Sequence, residues 1–225
     1  MNVTFLRWGA GSLALLVSAA GVTTVLAQDP SSQSSPAAAT PAAATEKKPD
    51  PSIGQRKENQ QDRIANGVKS GQLTAGETAN LEKKEAAINK ETKADRAANG
   101  GKLTSTEKAQ VNKQQNQVSK QVYADKHNAN TAHYGNNKVG QRRENQQDRI
   151  AQGVKSGQLT PSETAKLEKQ QQGINKQVAT DRKANGGKLN ASEKKQVNKE
   201  QNHASRNIYR KKHNAATQGN AKPKQ

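Results

Sequence analysis

Aliphatic residues recur at intervals of seven along most of the chain after residue 52, and polar residues fill the positions between them. Leu81 and Ile88 form one such pair, and Val111 and Val118 form the next. A spacing of seven places side chains on one narrow face of an α-helix. Ala, Glu, Lys and Gln dominate these stretches, and all four residues favour helix. The pattern therefore predicts an all-α fold in which helices pair as hairpins along narrow apolar seams.

The pattern occurs twice, because the chain from Ile53 onward is a tandem duplication with an offset of 86 residues. One copy begins IGQRKENQQDRIANGVKSGQLTAGETANLEKK, and the other begins VGQRRENQQDRIAQGVKSGQLTPSETAKLEKQ. About 52 of 87 aligned positions are identical. A repeat defines the unit that folds. We therefore assign residues 53–138 to copy 1 and 139–217 to copy 2, each with one short helix followed by two long helices.

Four predicted helix starts share one motif, in which a Thr or Asn lies three residues before a Glu. In this capping box, the first side chain accepts a hydrogen bond from the backbone N–H three residues on, and the Glu reaches back to the N–H of the cap. Pro161 follows one of these caps at the first helical position, which suits its fixed φ. The predicted capping residues are Thr74, Glu77, Thr104, Glu107, Thr160, Glu163, Asn190 and Glu193.

Asn-Gly sequences predict where the helices end, because Gly and Asn tolerate the left-handed conformation that often follows the last turn. Such sequences lie at 66–67, at 99–101 and at 185–187. They predict the end of the first helix of copy 1 and the ends of the second helices of both copies.

Composition argues against a thick globular core. From Ile53 onward, about 20 of roughly 173 residues are Ile, Leu or Val. Over the whole chain, Lys and Arg outnumber Asp and Glu by 37 to 19, which gives a formal charge of +18. Low hydrophobicity with high net charge lies near the compositional boundary of disorder. We therefore expect thin helical hairpins of marginal stability, or helices that order on a partner.

The first 27 residues have the features of an export signal. Arg7 precedes the apolar run GSLALLVSAAGVTTVLA, and Val25 and Ala27 lie at the −3 and −1 positions of a cleavage site before Gln28. An uncleaved membrane anchor is the alternative.

Residues 28–52 contain five prolines and are predicted to form a disordered linker. Residues 218–225 are predicted to form a disordered basic tail. We expect a periplasmic or secreted protein with no membrane span after signal cleavage.

Two stretches, SGQLTPSE and GGKLTSTE, resemble the second half of an EF-hand loop, where Gly, an aliphatic residue, Thr or Ser, and a closing Glu follow in order. With Glu77 at the twelfth loop position, Asn66, Val68 and Ser70 fall at the first, third and fifth. EF-hands carry oxygen ligands at those positions. Arg96 stands at the first position of the next unit. The resemblance implies a degenerate, calcium-responsive protein that lacks the first half of its site.

The helix starts also resemble those of Spy-type periplasmic chaperones, which are small basic helical proteins with an LTxxQ motif. Here the motif reads LTxxE in three units and LNxxE in the fourth. This resemblance implies binding of unfolded client proteins.

The whole repeat, from QDRIxxGVKSGQLTxxETAxLEK through YxxKHN, is similar to a set of uncharacterised exported bacterial proteins. That similarity implies a compartment and a helical fold, without an activity.

The remaining polar residues do not form a recognisable catalytic or metal site. The four histidines lack the spacing of three or four residues that a helix-borne metal pair needs. Neither a Ser or Cys nucleophile motif nor a pair of catalytic carboxylates is evident. We therefore predict neither an enzyme nor a cofactor.

The basic surplus is the remaining candidate chemistry, since high positive charge raises the local concentration of polyanions. For an exported protein, these are lipopolysaccharide, teichoic acid or extracellular nucleic acid. The leading prediction is a non-catalytic protein that binds anionic polymers through basic helix surfaces. The alternatives are a Spy-like chaperone, a calcium-responsive protein, or charge that serves only solubility. The predicted contacts are Arg56, Lys57, Arg142, Arg143, Arg210, Lys211 and Lys212.

Overall fold

The computed structural model describes residues 52–218. Six α-helices follow one another: α1 Ile53–Lys69, α2 Ala75–Ala98, α3 Ser105–Lys126, α4 Lys138–Lys155, α5 Pro161–Ala184 and α6 Ala191–Lys212. Because residues 52–218 contain helices and no strand, the all-α prediction is confirmed for this part of the chain. The predicted signal peptide lies outside the described residues, as do nearly all of the predicted linker and tail.

The helices of the second half follow the same plan as those of the first half. At an offset of 86 residues, α5 has the bounds of α2 and α6 has the bounds of α3, while α4 starts one residue early relative to α1. We call α1–α3 the first unit and α4–α6 the second unit, and residues 86 positions apart are counterparts. In each unit, the first and second helices pack on the third.

The two units meet through counterpart helices. α2 packs along α5, and α1 packs on α4. A patch on one unit therefore meets the equivalent patch on the other, as it does across a two-fold axis. The aliphatic clusters follow the same arrangement. Ala151 of α4 packs into the cluster of the first unit, and its counterpart Ala65 of α1 packs into a cluster of the second unit.

Aliphatic side chains from all three helices of each unit form the core. In the first unit they make one cluster, which includes Leu81, Ile88, Val111 and Val118, the residues at intervals of seven. In the second unit they make two clusters. The expectation of thin helical hairpins needs correction, because each unit also covers a face of the other unit. The side chains that pack between the two units, and so make the fold thicker than a hairpin, are mostly not aliphatic.

A second buried stripe on α2 explains this contact between the units. Its members lie three, four or seven residues apart, which keeps them on one helix face. They are Ala75, Thr78, Glu82, Glu85 and Thr92. The counterparts on α5 are buried as well and are Pro161, Thr164, Glu168, Gln171 and Val178. Most of these side chains are small or polar, so a search for apolar periodicity does not detect the stripe.

The first helix continues through the stop predicted at 66–67. α1 ends at Lys69, and the left-handed residue after it is Gly71, with φ of 72°. Gly67 is instead a packing position, because a Cβ there would lie 2.7 Å from Cδ1 of Leu73. The stops predicted at 99–101 and 185–187 do follow α2 and α5, and the two glycines of each have positive φ.

Specific contacts hold both ends of the described range. Ser52, which composition assigns to the linker, caps α1 and forms a capping box with Gln55. Gln218, which composition assigns to the tail, is 5% exposed. Its side-chain amide donates to the carbonyl of Leu159 at 2.8 Å and to Oε1 of Gln61 at 3.1 Å. The predicted linker and tail are therefore each one residue too long at these boundaries.

We expect Gly67→Ala to lower the free energy of unfolding by about 1–2 kcal/mol, because the new methyl group overlaps Leu73. Gly173→Ala is the matched control, since Gly173 lies in α5 and a Cβ there meets no described atom within 4 Å. That substitution should raise the free energy by about 0.5–1 kcal/mol through helix propensity. Urea unfolding followed by circular dichroism measures both, and equal effects would contradict a packing role for Gly67.

Candidate functional site

The predicted capping residues lie at four of the six helix starts. Thr74, Thr104, Thr160 and Asn190 are the N-caps of α2, α3, α5 and α6. Each accepts a hydrogen bond from the backbone N–H of the Glu three residues on, and that Glu accepts one from the N–H of the cap. All four carboxylates are therefore engaged at helix starts.

Glu77 also ties the segment after α3 to the start of α2. The side-chain amide of Asn128 donates to its Oε1 at 2.7 Å, and the amide of Asn130 donates to the same oxygen at 3.2 Å. The other oxygen accepts from the backbone N–H of Thr74 at 2.9 Å. Partial burial raises the pKa of Glu77, but the hydrogen bonds from Asn128 and Thr74 outweigh it and lower the pKa below its usual value. Asn214 makes the corresponding bond to Glu163.

The other two capping carboxylates link successive helices. The side-chain amide of Asn99, which follows α2, donates to Oε1 of Glu107 at 2.8 Å. Its counterpart Asn185, which follows α5, donates to Oε1 of Glu193 at 2.6 Å. The Asn of each Asn-Gly-Gly turn thus connects the end of one helix to the start of the next.

The structure places one predicted polyanion contact in the interior. Arg143 is 9% exposed, and its guanidinium carbon lies 5.4 Å from the centre of the Tyr134 ring. Burial lowers its pKa below the usual range. Because the side chain is covered, we remove Arg143 from the predicted surface contacts. Its counterpart Lys57 is half-buried, and burial likewise lowers its pKa, while Glu85 opposes the shift.

The other predicted basic residues lie at or near the surface. Arg56 and Arg142 bridge the first and third helices of their units, through Asn116 in one case and Asn198 and Asn202 in the other. The remaining three lie in the last turn of α6, and they are Arg210, Lys211 and Lys212. Of these, Arg210 is exposed, and Lys211 pairs with Glu163 at 3.6 Å.

A basic groove of about 590 Å³ runs between α4 and α6. Its described lining consists of Arg149, His203, Ser205, Arg206, Tyr209 and Arg210, none of which is acidic. Arg149 donates to the carbonyl of Ser205 at 3.4 Å. Tyr209 is 58% exposed and stacks on His213, with ring centres 4.1 Å apart. Guanidinium groups beside an aromatic ring can bind phosphate, sulfate or carboxylate groups in a bidentate manner.

The first unit carries less charge at the corresponding positions. The counterparts of His203, Arg206 and Arg210 are Gln117, Lys120 and Ala124. Over its whole length, α6 has a formal charge of +5, whereas α3 has +2. Because the two units have the same helices, a difference between them in binding of anionic groups can be attributed to these side chains.

Three carboxyl groups are buried between the units, since Glu82, Glu85 and Glu168 are all 0% exposed. Gln61 donates to Oε2 of Glu82 at 3.1 Å, and Gln147 donates to Oε2 of Glu168 at 2.9 Å. The remaining oxygens have no hydrogen-bond partner among the described residues. Burial raises the pKa of Glu82 and Glu168 to about 8 and that of Glu85 to about 7. Much of this cluster is therefore protonated at neutral pH.

Sequence reasoning missed most residues of the basic groove and all of the buried carboxyls. A signal for the groove was present, because Arg206 and Arg210 are four residues apart and therefore lie on one helix face. The carboxyls belong to the small and polar stripe of α2 and α5. Their burial depends on the contact between the units, and no sequence pattern within one helix indicates it.

The chain matches no family model, no curated protein and no solved structure. Over residues 52–218, no group of three or more His, Cys, Asp and Glu side chains is placed to hold a metal ion. None of the helices in that range combines the length and hydropathy that a bilayer crossing needs.

We expect the stability of the fold to decrease as the pH rises from about 5 to about 8. The buried carboxyls have folded pKa values above their ordinary value of 4.5. Their contribution is therefore fully present below pH 4.5 and is lost as the pH rises through the folded values. The loss should be roughly 1–3 kcal/mol for each carboxyl, and urea unfolding over this pH range measures it.

Replacing the titrating groups provides the control. Glu82→Gln with Glu168→Gln keeps the side-chain shape and an acceptor for Gln61 and Gln147, so this double variant should be more stable than the parent at pH 8 and show a flatter pH profile. Glu144→Gln, at an exposed position, should leave the profile unchanged. A double variant with the slope of the parent would show that these carboxyls do not cause the pH dependence.

Proposed function

We propose that this is a non-catalytic, exported protein of two tandem helical copies that binds anionic polymers through basic helix surfaces. The basic groove is the principal contact. The observation that carries the proposal is the placement of Arg149, Arg206, Arg210 and His203 around one groove without a described acidic lining residue. Lipopolysaccharide, teichoic acid and extracellular nucleic acid share the property that the groove requires, which is a row of closely spaced anionic groups.

Burial of carboxyl groups strengthens the positive surface. Residues 52–218 contain 32 Lys and Arg residues and 16 Asp and Glu residues. Three of those 16 acids lie between the units, where burial favours their neutral form. The surface is therefore more positive than the composition suggests. Each anionic group that a Lys or Arg neutralises releases a counterion, so the affinity should depend steeply on salt.

The two alternative functions receive less support. Capture of unfolded clients uses exposed apolar surface, and the exposed large apolar residues of the described surface are Tyr123 and Tyr209. A calcium loop needs free ligand oxygens, but both oxygens of Glu77 accept hydrogen bonds within the first unit. The third loop position is Val68, which is 1% exposed inside α1.

We expect Arg206→Ala with Arg210→Ala to weaken binding to a labelled polyphosphate about three- to tenfold near physiological salt. Arg210→Ala introduces the residue that the first unit has at position 124, so the fold should tolerate it. The plot of log K against log salt concentration should become shallower by about 1–2, because up to two anionic groups lose their partners. Fluorescence anisotropy over a series of salt concentrations measures both quantities.

Lys108→Ala with Lys113→Ala removes the same charge from exposed positions of α3 and should weaken binding less. If both double variants lose affinity equally, net charge rather than the basic groove determines binding. If the parent protein does not bind polyphosphate or heparin even at low salt, the proposed function is wrong.

A further inference from the structure

A second groove opens where the first unit meets the start of α5 and residues 217–218. Its volume is about 680 Å³. Its lining includes Ile53, Lys57, Ile88, Thr92 and Pro161. We call this the open groove. It combines aliphatic surface and a hydroxyl with three cationic side chains, those of Lys57, Lys93 and Arg96, so its aliphatic wall and its position distinguish it from the basic groove.

Tyr134, in the segment between α3 and α4, packs against the second unit at the counterpart of a residue that lines the open groove. Its ring lies over Arg143, whose guanidinium carbon is 5.4 Å from the ring centre. Arg143 is the counterpart of Lys57, which lines the open groove. The fold therefore binds a tyrosine ring at this place in one unit.

The chain has no counterpart of Tyr134 that could fill the open groove. The offset of 86 residues relates Tyr134 to Lys48 in one direction and to Asn220 in the other. Both residues lie outside the described range, and neither is aromatic. A tyrosine in the open groove would therefore have to come from another polypeptide.

Thr92 differs from its counterpart in a way that also indicates a ligand. Its side chain is buried, at 8% exposure, and its hydroxyl has no hydrogen-bond partner among the described residues. The counterpart is Val178, which has nearly the same shape and is 1% exposed. A buried hydroxyl without a partner destabilises a fold. Valine would therefore be the better residue at position 92, unless a group from outside the described fold pairs with the hydroxyl.

We propose that the open groove docks a tyrosine side chain from an extended segment of a partner polypeptide. Lys57 lies against the face of the ring, as Arg143 does for Tyr134, in a cation–π contact. Ile53 and Ile88 cover the apolar part of the ring. The phenol, which can donate and accept, forms a hydrogen bond with the hydroxyl of Thr92.

Other occupants fit the open groove less well. A polyanion would meet the cations Lys57, Lys93 and Arg96, but it would also meet the carboxylate of Glu58 and would leave the aliphatic wall of the groove without a partner. A purely aliphatic or phenylalanine side chain would leave the hydroxyl of Thr92 without a partner. Tyrosine satisfies the aliphatic wall, the amine and the hydroxyl together. This inference does not depend on polyanion binding at the basic groove.

The test uses the full chain and a synthetic peptide with the sequence of residues 130–137, NTAHYGNN. A second peptide carries Phe in place of Tyr134. Chemical shifts of the Ile53 and Ile88 methyl groups report binding at the open groove. The parent should bind the Tyr peptide at least about threefold more tightly than the Phe peptide. Thr92→Val should remove that preference, because it removes the partner of the phenol.

Each outcome bears on the proposal. If millimolar Tyr peptide leaves both methyl signals unshifted, the open groove does not dock tyrosine. If the parent binds both peptides equally, or if Thr92→Val retains the preference for the Tyr peptide, the proposed hydrogen bond to Thr92 does not form.

Lys57→Ala should lower the affinity for the Tyr peptide about threefold or more, whereas Lys90→Ala, at an exposed position of α2, should not change it. Equal effects of these two substitutions would contradict the contact between Lys57 and the ring.

Discussion

The buried contact between α2 and α5 determines how the rest of the molecule is arranged. It brings together two copies of one polar and small-residue stripe, and it places the carboxyls of Glu82, Glu85 and Glu168 out of contact with water. Burial favours the protonated form of these groups. We therefore expect the stability of this contact to depend on pH. Because it covers acidic groups, it also leaves the outer surface more basic.

The same contact does not cover the third helix of either unit. Among the six helices, α3 and α6 pack only on helices of their own unit. Their outer faces consequently remain open to solvent. The basic groove lies on one of these third helices, α6, where Arg206 and Arg210 converge with Arg149 of α4. The buried contact between the units and the exposed outer face of α6 together place these charged side chains at the surface.

The two units share their helices but differ in surface chemistry. The second unit has the additional cations along α6, and its site against Arg143 is filled by Tyr134. The first unit has fewer cations along α3, and its corresponding site is an open groove with an unpaired Thr92 hydroxyl.

The sequence by itself determined the features that depend on local interactions. The repeat, the helical period, the capping boxes and the Asn-Gly-Gly turns involve residues a few positions apart, and these residues constrain the backbone directly. Tertiary structure decided which polar residues are buried. Gly67 is a helix packing site rather than a stop because Leu73 lies over it. Arg143 lies inside and Arg149 lines a groove, although both are arginines on α4, because only the packing of neighbouring helices distinguishes one face of a polar helix from another.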